Sequence, residues 1–136
     1  LDKDSRGLLL MTNNGDIIDR MMRGANCHEK EYKVTVDKEI TGDFLKKMSE
    51  GVPILDTVTR PCRISRIGKY TFSIVLTQGL NRQIRRMCEA LGYEVKDLVR
   101  VRVMNIRLGS LKEGQYRKLS DEELEELYDL LNKGGC

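Results

Sequence analysis

The sequence predicts an α+β fold with a mixed, largely antiparallel sheet and flanking helices. Three observations lead there. Strand-like and helix-like periodicities are mixed along the chain, neighbouring strand candidates are joined by short turn signals, and no repeat, low-complexity stretch or linker divides it. At 136 residues the chain is one domain by size and can bury a core.

The elements follow in order. Gly7 to Thr12 reads as a buried strand, ended by the turn signal Asn13-Asn-Gly15. Asp16 to Arg23 reads as a helix with Ile17, Ile18, Met21 and Met22 on one side, Asp16 suiting the positive end of its dipole and Gly24 stopping it. Glu31 to Val36 alternates, with Tyr32, Val34 and Val36 on one face and Lys33 and Thr35 on the other, as a half-exposed strand does. Thr41 can cap a helix running through Met48, with Phe44, Leu45 and Met48 inward and Gly51 as its end. Arg60 to Ile67 and Tyr70 to Leu76 read as a hairpin turning at Gly68-Lys69, with Phe72, Ile74 and Leu76 in step. Asn81 to Leu91 is a helix that Gly92 terminates. Leu98 to Leu108 is a long strand, Val99, Val101 and Val103 on one side and Leu98, Arg100, Arg102 and Met104 on the other. Ser120-Asp-Glu-Glu123 is a capping box opening a helix with Leu124, Leu127, Tyr128 and Leu131 as its apolar stripe.

Composition narrows the function classes. Hydrophobic residues make up 40% and charged residues 33%, and no run approaches the roughly 18 apolar residues of a membrane span. Cys27, Cys62, Cys88 and Cys136 form no C-x-x-C pair and the single histidine is His28, which argues against a zinc site. Reduced thiols in a cytoplasmic protein are the expectation. The net charge is only +3, but residues 103–136 hold five basic side chains against seven acidic ones, so the cationic excess lies earlier and any polyanionic partner should face that part.

Two segments stand out. On the Asn81–Leu91 helix, at about 100° per residue, Ile84, Met87, Cys88 and Leu91 fall on one side and Arg82, Arg85 and Arg86 on the other. Like charges at this spacing repel by a few tenths of a kcal/mol per pair. Either the face is simply solvated, or an anionic partner or carboxylate offsets the repulsion. In the N-terminal segment, Asp2 and Asp4 are a pair of catalytic carboxylates, metal ligands or plain loop residues; no further ligand cluster accompanies them. Residue patterns alone stop at a soluble α+β domain with a basic face suited to RNA.

Three motifs go further. Leu1-Asp2-Lys-Asp-Ser5-Arg-Gly7-Leu-Leu-Leu-Met-Thr-Asn-Asn-Gly15-Asp resembles the catalytic-aspartate motif of pseudouridine synthases. His28-Glu-Lys-Glu-Tyr32-Lys-Val resembles their tyrosine strand, and Gln78-Gly-Leu-Asn-Arg-Gln83-Ile-Arg85-Arg-Met87 their third motif. The chain is similar over essentially its whole length to the RsuA/RluF-type subfamily, within it to the branch acting on large-subunit ribosomal RNA. This resemblance implies that Asp2 is the essential carboxylate, acting on a flipped-out uridine whose N1–C1′ bond breaks and whose base rejoins through C5. It leaves open whether the carboxylate attacks the base or the sugar.

The resemblance also implies that Arg85 pairs with Asp2 and that Tyr32 stacks on the base and assists the late loss of the C5 proton. Leu98 would be an apolar wall. Lys30, Arg82, Arg86, Arg100 and Arg102 are candidate phosphate contacts by charge and position, Arg82 and Arg86 foremost. By pattern alone Tyr32 and Leu98 would be core residues. No cofactor and no metal are expected. The expected partner is ribosomal RNA, with a transfer RNA as a candidate second substrate and a non-catalytic RNA-binding module as the alternative function. Family members carry an S4-like RNA-binding domain and the first part of the catalytic domain ahead of the aspartate. Residues 1–136 are therefore expected to be a catalytic-domain fragment, whose exposed sheet edge would invite dimerisation.

Overall fold

The computed structural model describes residues 4–22 and 28–133. A sheet of order β1-β7-β2-β6-β5 forms the centre, with β8 beside β7. The strands are β1 (Arg6–Gly7), β2 (Lys30–Val36), β5 (Arg63–Arg66), β6 (Thr71–Leu76), β7 (Val95–Val103) and β8 (Ile106–Arg107). A separate small hairpin joins β3 (Pro53–Ile54) to β4 (Thr57–Val58). Among the described strands only β1 runs parallel to its neighbour, and the other pairings are antiparallel. The helices are α1 (Gly15–Met22), α2 (Gly42–Glu50), α3 (Gln83–Ala90) and α4 (Asp121–Lys133).

The alternation on β2 and β6 builds the core as predicted. Val34, Val36, Phe72, Ile74 and Leu76 are buried beneath α2 and α3, which contribute Phe44, Met48, Ile84, Met87 and Cys88. Phe44 packs edge-on to Phe72, with ring centroids 5.5 Å apart. Burial pushes the Cys88 thiol up to about 12 and the Cys62 thiol up to about 11, so both are held as neutral thiols. Cys27 and Cys136 lie outside the described residues. A second cluster, with Leu8, Met21, Val103, Ile106, Leu127 and Leu131, fastens α1 and α4 to the other end of the sheet.

Caps behave as their chemistry dictates. Thr41 Oγ1 accepts from Phe44 N at 3.1 Å. In the α4 capping box Glu123 N donates to Ser120 Oγ at 3.2 Å and Ser120 N donates to Glu123 Oε1 at 2.9 Å.

Four predicted elements differ. The strand over 7–12 shrinks to Arg6–Gly7, which pairs with β7; Leu9 is 63% and Met11 88% exposed. The arginine helix starts at Gln83, since Arg82 adopts a left-handed conformation (φ 48, ψ 38). The long strand starts at Val95 and stops at Val103, where Met104 (φ 53) turns the chain back into β8. On α4 Leu127 and Leu131 are buried while Tyr128 is 44% exposed. Gly24, the predicted stop of α1, lies outside the described residues. Among the described residues no helix is long and apolar enough to cross a membrane.

Candidate active site

A cavity of about 370 Å³ opens between the central strands and the start of α3. Strands β2, β6 and β7 supply Lys30, Tyr32, Leu76, Leu98 and Arg100. The turn into α3 supplies Gln78 through Arg85, and Ser5 closes the side nearest the N-terminal segment. Strand alternation explains the first set. Tyr32 faces Arg100 and Val34 faces Leu98 across the β2–β7 pair, so Tyr32, Leu98 and Arg100 share one face.

The N-terminal segment is tied to the arginine helix here. Arg85 Nη2 donates to the Asp4 carbonyl at 2.6 Å, and Arg82 Nη1 lies 3.2 Å from Asp4 Oδ2. Arg6 forms a two-pronged pair with Asp97, which holds the Asp97 carboxyl below its ordinary range. Leu8 N donates to Arg100 O at 2.8 Å, and Arg100 Nε donates back to Leu8 O at 2.9 Å. Gly7 makes this docking possible. Its φ is +119, and a Cβ there would lie 2.2 Å from Arg100 O.

The electrostatics are lopsided. Lys30 is 6% and Arg100 5% exposed, and among the described residues neither pairs with a carboxylate. Burial, and then the Arg100 charge, lower the Lys30 ammonium from its usual range. Lys30 Nζ donates to Met21 O at 3.5 Å, a weak interaction. Two buried polar atoms at the same cavity, Ser5 Oγ and Arg85 Nε, have no hydrogen-bond partner among the described residues. A buried donor left unmatched costs about 1–3 kcal/mol, so an acceptor belongs here. Four cationic side chains and two waiting polar groups make the cavity a receptor for anionic or carbonyl oxygens.

The predicted residues divide accordingly. Tyr32, Arg85, Arg82, Leu98, Lys30 and Arg100 meet at the cavity. Asp2 lies outside the described residues, two positions before Asp4. Arg86 folds back onto its own turn, Nε to Asn81 O at 2.9 Å and Nη2 to Asn81 Oδ1 at 3.0 Å, and does not line the cavity.

Arg102 requires a correction. The β2–β7 register shifts between Glu31 and Tyr32, so that Glu31 faces Arg102 while Tyr32 faces Arg100. The residue gained at this bulge turns Arg102 to the opposite face of the sheet. There Arg102 is 9% exposed and bonds Glu31 Oε1 at 3.0 Å, Glu29 Oε1 at 3.2 Å and Met104 O at 2.7 Å. It is a structural cation occupied by carboxylates, not a phosphate contact beside the cavity. Lys30 and Arg100 are likewise more buried than a surface phosphate contact would be, although they do reach the cavity.

Residue patterns missed the amide pair Gln83 and Gln78. Gln83 is 5% exposed on the inner side of α3, accepting from Leu80 N at 3.2 Å and donating to Gln78 Oε1 at 3.4 Å. A polar residue directly before the apolar Ile84 was the available signal. Among the described residues no group of acidic, histidine or cysteine side chains could hold a metal ion.

Similar proteins complete the picture. The family model for RNA pseudouridylate synthase matches residues 1–90. The chain is 54% identical over 131 residues to the dual-specificity RNA pseudouridine synthase RluF of Escherichia coli (strain K12), covering 96% of this chain and 45% of that protein. It is 36% identical over 142 residues to the ribosomal large subunit pseudouridine synthase B of Buchnera aphidicola, covering 97% and 56%. A crystal structure of a pseudouridylate synthase superposes with a TM-score of 0.89 at 31% identity, over 93% of this chain and 56% of that one. The chain thus spans about half the length of the curated relatives it matches.

Proposed function

The chain belongs to the RNA pseudouridylate synthase family, and on that basis we propose that it carries the centre that isomerises a uridine in RNA to pseudouridine. The observation that carries this reading is the grip of Arg82 and Arg85 on Asp4 at the mouth of a cationic cavity bearing Tyr32 and Leu98.

Asp2 is the reacting carboxylate in this reading. It precedes Asp4 by two residues, and Arg85 Nε, which has no partner among the described residues, is the donor that its carboxylate would satisfy. An adjacent guanidinium keeps such a carboxylate ionised at neutral pH. The uridine leaves its stack at a cost of a few kcal/mol, which stacking on Tyr32 and contact with Leu98 offset. The N1–C1′ bond breaks, the base turns, C1′ bonds to C5, the C5 proton leaves and N1 gains a proton. Atoms and charge balance without a co-reactant. Arg82 at the mouth offers a contact to a flanking phosphate, and the buried Lys30 and Arg100 make the cavity itself positive.

Large-subunit ribosomal RNA is the proposed substrate, from the name of the Buchnera relative. A second RNA, such as a transfer RNA, fits the dual specificity stated for the Escherichia coli relative. The test uses the full-length protein carrying this chain and unmodified large-subunit ribosomal RNA, with pseudouridine mapped by carbodiimide-dependent stops. One new stop is expected, and Asp2→Ala should abolish it while RNA still binds. RNA binding by the wild type without any stop would leave only a binding module.

A further inference from the structure

Resting on the isomerase reading, we propose that Gln78 identifies the flipped base as uracil, its side-chain NH2 donating to the O4 carbonyl. Gln78 follows β6 and lines the cavity that Tyr32 and Leu98 share. Its amide orientation follows from its partners. Oε1 accepts from Arg60 N at 3.0 Å, and a backbone N–H can only donate, so the oxygen must face Arg60. Gln83 Nε2 donates to the same oxygen at 3.4 Å. Gln83 is fixed in turn, because its Oε1 accepts from Leu80 N at 3.2 Å. Leu80 N–H, the Gln83 amide and the Gln78 amide therefore form an aligned chain in which each dipole strengthens the next. The chain ends on Gln78 Nε2, which has no partner among the described residues.

Other donors line the cavity: the cations, which Asp4, Leu8 O and Met21 O already engage, and the amide of Asn81, whose Oδ1 accepts from Arg86 Nη2. The apolar walls suit any ring, and a serine hydroxyl both donates and accepts. An oriented NH2 does discriminate. Uracil offers an acceptor at O4, where cytosine offers an amino donor that would stand donor to donor against Gln78. The reaction itself adds a reason. Turning uracil about its N3–C6 axis exchanges N1 with C5 and O4 with O2. The same NH2 therefore meets a carbonyl in both substrate and product.

The experiment measures binding to an RNA hairpin containing the mapped target, using the full-length protein. The target position carries uridine, cytidine or pyrimidin-2-one riboside, which lacks O4. Wild type should bind the uridine hairpin about tenfold more tightly than the O4-less one, the worth of one hydrogen bond. Gln78→Ala should bind these two equally. Gln78→Glu keeps the acceptor for Arg60 N but presents an acceptor to the base, and should now favour cytidine over uridine. Unchanged melting midpoints and circular dichroism show that the variants fold. An O4 effect of equal size in wild type and Gln78→Ala would overturn the assignment, as would a Gln78→Glu protein that still prefers uridine. Pseudouridine formation by the wild type is scored on the same uridine hairpin. Its absence would remove the isomerase reading as well, whereas its presence with an unaltered O4 effect would remove the Gln78 assignment alone.

Discussion

Gly7→Ala tests how the fold positions the N-terminal segment. Gly7 sits at φ +119, and an added Cβ would lie 2.2 Å from Arg100 O and 2.5 Å from Arg100 N, both backbone atoms of a central strand. Overlap that severe cannot be absorbed, so the segment should lift away from β7. Lifting breaks the bonds between Leu8 and Arg100, about 1 kcal/mol for the backbone pair and about 2 kcal/mol for the guanidinium. It also exposes Leu8, which is 6% exposed in the fold, at about 2 kcal/mol. The expected destabilisation is therefore about 3–5 kcal/mol, limited by the cost of detachment. Detachment also removes Asp4 from Arg82 and Arg85, and displacing a reacting group by about 1 Å costs about a hundredfold in rate. Urea unfolding, amide exchange at Leu8 and, under the proposed function, pseudouridine formation by the full-length protein read the three consequences. Wild-type stability with a protected Leu8 amide would refute the docking argument.

Further perturbations separate the cavity from its supports. Arg102→Ala should cost about 1.5–3 kcal/mol by removing the guanidinium from one oxygen each of Glu29 and Glu31. It should leave the salt dependence of RNA binding unchanged, whereas Arg82→Ala should flatten that slope by about 0.7–0.9 per lost phosphate contact; equal slopes would contradict their placement on different faces. The Arg117 pair and the Ser120 amide hold Glu123 down at about 2, against an ordinary 4.5. The folded value is the lower one, so this stabilisation is complete above pH 4.5 and fades as pH falls toward 2. Circular dichroism of Glu123→Gln should therefore lack that acid dependence. Cys88, fully buried with its thiol held up at about 12, should resist alkylation at pH 8 until urea unfolds the chain, as mass spectrometry of the modified peptide would record. Rapid labelling of Cys88 in the native protein would contradict its burial.

Much of this protein was legible in its sequence because local chemistry decides it. The alternation of Tyr32, Val34 and Val36, the Thr41 cap and the Ser120–Glu123 box each involve neighbours within a few residues, and each formed as read. The motifs around Asp2, Tyr32 and Arg85 identified the family, and the described members of that set meet at one cavity. What the sequence could not decide depended on a partner strand. Apolar Leu9 and Met11 lie beyond the paired residues of β1, and no other described strand pairs with them. Arg100 and Arg102 differ by two positions and would share a face on a regular strand, yet the bulge opposite Glu31 and Tyr32 sends one to the cavity and the other to a carboxylate pair. Register and bulges arise between strands distant in sequence, where no local periodicity records them. Sequence thus determined which residue types make the site, and tertiary pairing decided which of its arginines belong to it.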